Sequence, residues 1–203
     1  MDHYYPGFGG GGRCDFWDDT AGVPRRITGD PVESLKIWLL CIVAAAIYGI
    51  LHDQVTARVC VEYFSVAHRT ILPLRSPTLL GLEWGIVATW WVGCGLGVLL
   101  AGSARLGSLP SLSARDLSRP VGLLLLSMAC GALLAGTTGF CLTKAGVISL
   151  QGRLAEAIVN SKHARFMADA WAHLASYFIG GCGGLALCIR AYARRKRLAS
   201  SRG

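Results

Sequence analysis

The chain is short of charge. Only 16% of its 203 residues are Asp, Glu, Lys or Arg, against about 25% in an ordinary soluble domain. Together with 53% hydrophobic residues and a mean hydropathy of +0.46, that deficit argues against a water-soluble globule. The same hydrophobicity excludes disorder over most of the chain, because disorder needs few apolar residues. None of the eight cysteines forms a CxxC pair, which speaks against a thiol–disulfide relay and a zinc knuckle. There is no Walker sequence, no GxSxG and no HExxH, so no established catalytic motif offers a reaction. The glycine run at residues 9–12 lacks the strand, helix and lysine of a phosphate loop. Although glycine is abundant, at 26 residues, it has no collagen-like period.

Long apolar runs are what the chain does have. Four of them, at about 35–52, 79–101, 121–142 and 166–189, approach or exceed the roughly 20 helical residues that cross about 30 Å of hydrocarbon. The expected fold is therefore all-α, an integral membrane four-helix bundle over 34–192. It is flanked by a flexible Gly-rich tail at 1–33 and a basic tail at 193–203. Pro120 suits the first turn of the third span. The first span follows more than thirty residues and no small-residue cleavage pattern, so it reads as a retained span rather than a signal peptide. Cys41, Cys94, Cys130, Cys141, Cys182 and Cys188 lie in the apolar runs and behave as small hydrophobes.

Basic residues set the expected orientation. Arg190, Arg194, Arg195, Lys196, Arg197 and Arg202 crowd the C-terminal tail, Arg105, Arg115 and Arg119 the second connection, and Arg25, Arg26 and Lys36 the N-terminal flank. With four spans these segments share a side, which the positive-inside rule makes the cytoplasm of a bacterial inner membrane. The net charge of +8 then reports topology and contact with anionic lipid, and nucleic acid is not an expected partner. Small residues recur at four-residue spacing: Gly81, Gly85, Gly93 and Gly97, then Ser127, Gly131, Ala135 and Gly139, then Gly180 and Gly184. Such stripes let membrane helices approach closely. They serve either the bundle itself or a homo-oligomer or membrane-complex partner.

Ionisable groups inside spans are expensive and mark candidate sites. Asp169, His173 and Tyr177 fall at i, i+4 and i+8 on one face of the fourth span. His52 and Asp53 close the first span, Glu83 lies one turn into the second, and Arg58, Glu62 and Tyr63 follow the first. All belong to the extracytoplasmic end of the expected bundle. His52, Asp53, Asp169 and His173 are candidate ligands for zinc, iron or manganese, with Asp169 also able to orient the His173 imidazole. Glu83, Glu62 and Arg58 are candidate catalytic groups, as bases or as an anion partner. A haem between His52 and His173 is a lesser candidate. These groups point to a metal-dependent enzyme acting on a lipid or apolar small molecule. The competing expectation is a non-catalytic accessory or assembly subunit, in which the same groups neutralise one another and lock the helix ends. His68 reads as solvated, and Trp90 and Trp91 as packing residues.

Two stretches also look familiar together. The run His52-Asp53-Gln54-Val55-Thr56-Ala57-Arg58, continuing to Glu62-Tyr63-Phe64, is one, and Trp84-Gly85 with Ala88-Thr89-Trp90-Trp91-Val92-Gly93 is the other. They resemble a family of uncharacterised bacterial four-span membrane proteins carrying HDQ-T-x-R, EYF and WG…ATWWVG motifs. Asp169-Ala170-Trp171-Ala172-His173 fits the same pattern. The resemblance covers about Trp38 to Tyr177. It implies a four-span architecture, picks out the same polar residues and implies no reaction.

The orientation has a direct test. Reporter fusions after Ser200 and within residues 146–152 are expected to read the cytoplasm and the opposite side respectively. A tail reporter active only outside the cytoplasm would invert the assignment.

Overall fold

A computed structural model describes residues 30–69 and 71–201; the Gly-rich N-terminal segment therefore lies outside the described residues, apart from its last few positions. The described residues are helical and contain no strand. Helix α1 spans Pro31–Val59, α2 Val61–Ser65, α3 Pro77–Val87, α4 Trp90–Arg105, α5 Ala114–Lys144, α6 Gly152–Ala157 and α7 His163–Ser200, the last preceded by a 3-10 turn at Asn160–Lys162. Four helical units are long and apolar enough to cross a membrane: α1, α3 with α4, α5, and α7 with its leading turn. The chain is a multi-pass membrane four-helix bundle.

The helices enclose the four apolar runs and extend beyond them, for local reasons. Asp30 caps α1, its Oδ1 accepting from Val32 N at 3.0 Å, with Pro31 in the first turn. The helix continues past His52 and Asp53 to Val59 because the next residues are compatible with helix, and it ends where Cys60 turns extended. Those two residues therefore lie inside α1 rather than at its end. Helix α5 begins at a capping box, with Ser113 and Asp116 bonding each other's backbone N–H. Pro120 consequently falls inside α5 and not in its first turn, and the helix forgoes one backbone hydrogen bond there.

The second span breaks at Ala88 and Thr89. Thr89 N–H bonds Ile86 O at 3.2 Å, and its hydroxyl takes the Gly85 carbonyl. The carbonyl freed by the irregular turn is satisfied by a side chain, a common device where a helix bends.

Glycine contacts bind α1 to this broken span. A Cβ on Gly85 would lie 2.5 Å from Ile50 Cα, on Gly93 2.7 Å from Cys41 O, and on Gly81 2.8 Å from Asp53 O. The second-span stripe is thus used within the bundle, against α1. On α5 the stripe read from Ser127 is used in part: a Cβ on Gly131 would meet the Ile179 side chain and one on Gly139 the α7 backbone at Met167, while Gly136, off that stripe, faces α7 at Ala168. Ser127 is exposed and bonds its own helix at Leu123 O. Gly180 and Gly184 face the side chains of Met128 and Leu96 rather than backbone. Trp90 and Trp91 lie at the bundle surface, 50% and 59% exposed, and not in its packing.

The end carrying the chain's C-terminus is tied by polar contacts. Glu33 Oε2 accepts from Ala114 N at 3.2 Å, joining the starts of α1 and α5, and Arg194 pairs with Asp116 at 3.0 Å. Arg195, fully buried, donates to the carbonyls of Ser103, Leu106, Leu109 and Pro110 at 2.8–3.0 Å. Its planar set of five donors suits that task. Beneath lies an apolar cluster including Ile37, Leu100, Leu112, Leu117 and Val121.

Gly85→Ala is expected to destabilise the detergent-solubilised protein by about 1–3 kcal/mol, because overpacking must displace α1 backbone. Gly95→Ala is expected to have little effect, since a Cβ there meets nothing within 4 Å. Thermal unfolding of the two variants side by side checks this.

Candidate metal centre at the head of an apolar cavity

His52, Asp53 and His173 converge. One ligand atom from each lies within 4.8 Å of the others, among the described residues. The imidazoles of His52 and His173 meet edge to face with centroids 4.6 Å apart, too close for a porphyrin between them. Asp53 and His173 are buried, at 4% and 8% exposure. At 1.5 Å per residue, Asp53 lies roughly 9 Å inside the end of α1, and His173 roughly 15 Å inside the start of α7. The set sits within the bundle, below its end surface.

The hydrogen bonds of His173 fix its chemistry. Nδ1 lies 2.7 Å from the Asp169 backbone oxygen. A carbonyl only accepts, so Nδ1 carries the proton and donates. Nε2 lies 3.1 Å from Asp53 Oδ1. In a neutral imidazole that nitrogen presents a lone pair to a carboxylate, and two acceptors at this distance require a proton or a cation between them. No Lys or Arg lines this region among the described residues. Nε2 of His52 is buried with no hydrogen-bond partner.

Aromatic rings close the site from above and beside. Tyr63 of α2 stacks on His173 with centroids 4.4 Å apart, Phe64 approaches it edge-on at 5.7 Å, and Tyr48 stacks on His52 at 5.6 Å. Tyr48 Oη and Ser176 Oγ share a 2.7 Å hydrogen bond between α1 and α7. Below these groups runs a cavity of about 110 Å³, where about 10–15 Å³ suffices for one water. His52, Asp53 and His173 line one end. Leu100, Val121 and Leu187 line the other.

The remaining sequence candidates lie elsewhere. Asp169 is 1% exposed, but its carboxyl faces the backbone at Cys60 and one of its oxygens has no partner. Its contribution to His173 is a backbone carbonyl, not the expected carboxylate. Glu83 is turned to the loop after α2, where Oε1 accepts from Leu72 N at 3.0 Å. Arg58 binds Gln54 Oε1 at 2.8 Å and Thr78 Oγ1 at 2.9 Å, joining α1 to α3. Glu62 pairs with Lys162 and accepts from Cys60 Sγ at 3.4 Å. Burial is the largest influence on Glu62 and opposes its ionisation, but the hydrogen bonds from Lys162, its own backbone and Cys60, with the Lys162 charge, together hold the carboxyl below its ordinary range. Burial, and then Glu62, push the Cys60 thiol up to about 11, so it is neither thiolate nucleophile nor ready ligand at neutral pH. His68 is not solvated: Nδ1 bonds Tyr63 O at 2.7 Å, and the ring packs on Trp84 at 4.7 Å.

Sequence reasoning missed Tyr48, although it lies four residues before His52 and so shares its helix face. No family model, curated protein or solved structure matches the chain. The likeness to four-span proteins with an HDQ motif therefore rests on the quoted residues alone.

Tyr48→Phe and Ser176→Ala are each expected to cost about 0.5–1.5 kcal/mol of stability. The double variant is expected to cost less than their sum, because both remove the same bond. Unfolding of the three variants measures the coupling.

Proposed function

We propose that this chain is a metal-dependent membrane enzyme acting on an apolar or lipid substrate. His52, Asp53 and His173 hold a divalent transition ion, of the zinc, iron or manganese class. The observation that carries this reading is the arrangement at His173. A backbone carbonyl fixes its tautomer through Nδ1, as outer partners of metal-ligating histidines commonly do. Its Nε2 is thereby aimed at a carboxylate 3.1 Å away. Two ligands each about 2.1 Å from one ion are spaced on this order. His52 supplies a third ligand, and two imidazoles with one carboxylate leave coordination positions open for substrate. An ion there would polarise a bound oxygen or activate a water.

The protein's own groups do the rest. Asp169 holds the His173 ring through its backbone, the Tyr48–Ser176 pair offers hydroxyls beside the site, and Tyr63 and Phe64 shield it from above. In this reading Glu83, Glu62 and Arg58 hold the surrounding loops and helices rather than touch substrate. The protein resides in the bacterial inner membrane with both termini cytoplasmic and the site toward the extracytoplasmic half, a placement supported by its basic tail.

Purified protein is expected to carry one transition ion per chain by elemental analysis. His173→Ala and Asp53→Ala are each expected to lose most of that ion while keeping a folded, monodisperse bundle. A chelator is expected to lower the thermal stability of wild type and not of His173→Ala, since only a bound ion stabilises by mass action. Wild type without metal, yet strongly destabilised by either substitution, would mean that a proton joins Asp53 to His173 and that the pair is a structural lock in an accessory subunit.

A further inference from the structure

The cavity below the triad has a shape and a polarity of its own. We infer that it seats one long hydrocarbon chain, so that the substrate of the proposed enzyme is a single-chain amphiphile whose polar end stops at His52, Asp53 and His173. The identity of the reacting end rests on the proposed metal reading; the seating of the chain rests on the cavity alone.

Along α1 the lining runs from Asp53 to Cys41, and along α7 from His173 to Leu187. At 1.5 Å per residue these stretches measure roughly 18 and 21 Å, more than half of the hydrocarbon thickness of about 30 Å. The centre of a water-sized sphere can range over about 110 Å³ of the cavity, which over that depth is the width of one chain rather than two. The polar groups are gathered at one end. Beyond Ser176 and Tyr177 the lining of α7 is Gly180, Gly181, Gly184 and Leu187, and Leu96, Leu100 and Val121 stand opposite. No charged side chain lines that half among the described residues, which disfavours an ion path or a hydrophilic substrate. Tyr177 lines the cavity and is also 47% exposed, so beside α7 a single side chain separates the cavity from the bundle surface. A chain entering there from the bilayer crosses no water.

Gly181 provides the test. It lines the cavity, and a Cβ there meets nothing within 4 Å, so a large side chain occupies empty space instead of displacing a neighbour. Gly95 also has an open Cβ position but does not line the cavity, which makes it the matched control. cis-Parinaric acid, whose fluorescence rises in apolar surroundings, is titrated into detergent-solubilised full-length protein. Palmitate and farnesol then serve as competitors, to separate a straight acyl chain from a branched isoprenoid. Wild type and Gly95→Phe are expected to bind saturably and alike. Gly181→Phe is expected to bind at least about tenfold more weakly, since excluding even two methylenes costs about that factor. Gly181→Leu, a smaller plug, gives an intermediate loss and serves if the phenylalanine variant misfolds. Wild type treated with a chelator is expected to keep its chain binding, so failure of the metal reading leaves this result untouched. Equal binding by Gly181→Phe, Gly181→Leu and Gly95→Phe, or no saturable binding by wild type, would overturn the inference even in a protein that carries its metal.

Discussion

At Gly49 and Gly85 the backbones of α1 and α3 touch, and no side chain fits between them without moving one. A Cβ on Gly49 would meet Gly85 O and the Thr89 side chain, and one on Gly85 would meet the α1 backbone at Ile50. In lipid there is little hydrophobic gain from pairing apolar helices, so close approach of this kind supplies the packing. It also fixes the rotation of α1 about its own axis. With Gly49 against α3, the neighbouring turn presents Tyr48, His52 and Asp53 toward α7. The break at Thr89 belongs to the same contact, because the Thr89 hydroxyl closes the carbonyl that Gly49 approaches.

The two halves of the bundle, α1 with α3 and α4, and α5 with α7, are each packed more extensively than they are against one another. Across the gap the join at the site is polar: Asp53 to His173 and Tyr48 to Ser176. Hydrogen bonds in a membrane interior contribute modestly on average, about 0.6 kcal/mol in double-mutant cycles, yet leaving one partner buried alone is costly. Such pairs fix orientation more than they add stability. They leave between the halves a space that apolar clusters close at either end: one around Leu100 and Leu117, another around Ala57, Phe64 and Leu80.

Fold class was legible because crossing lipid demands an unmistakable run of apolar residues, and four such runs exist. The candidate centre was legible in part. Helical spacing put Asp169 and His173 on one face and matched the depth of His52, but it carries no information about the angle at which α1 meets α7. That angle selects Asp53 as the partner of His173 and turns the Asp169 carboxyl toward Cys60. Glu83 shows the same limit from another side. Its position along the span fits the site, but the loop after α2 folds back and offers Leu72 N–H instead. The stripe on α5 was legible in part: Gly131 and Gly139 do meet α7, but four-residue spacing gives no sign that Gly136 faces it as well.

The buried guanidinium of Arg195 ties the end of the chain to its middle. The four carbonyls it satisfies lie 85 to 92 residues earlier, in and beside the α4–α5 connection. While the chain is being synthesised, that connection emerges long before its donor and must stay hydrated at the membrane surface until α7 arrives. The connection is therefore completed only once α7 has been made. Closure of this loop thus waits on the docking of α7, and the order of the α4–α5 connection reports whether that helix has arrived.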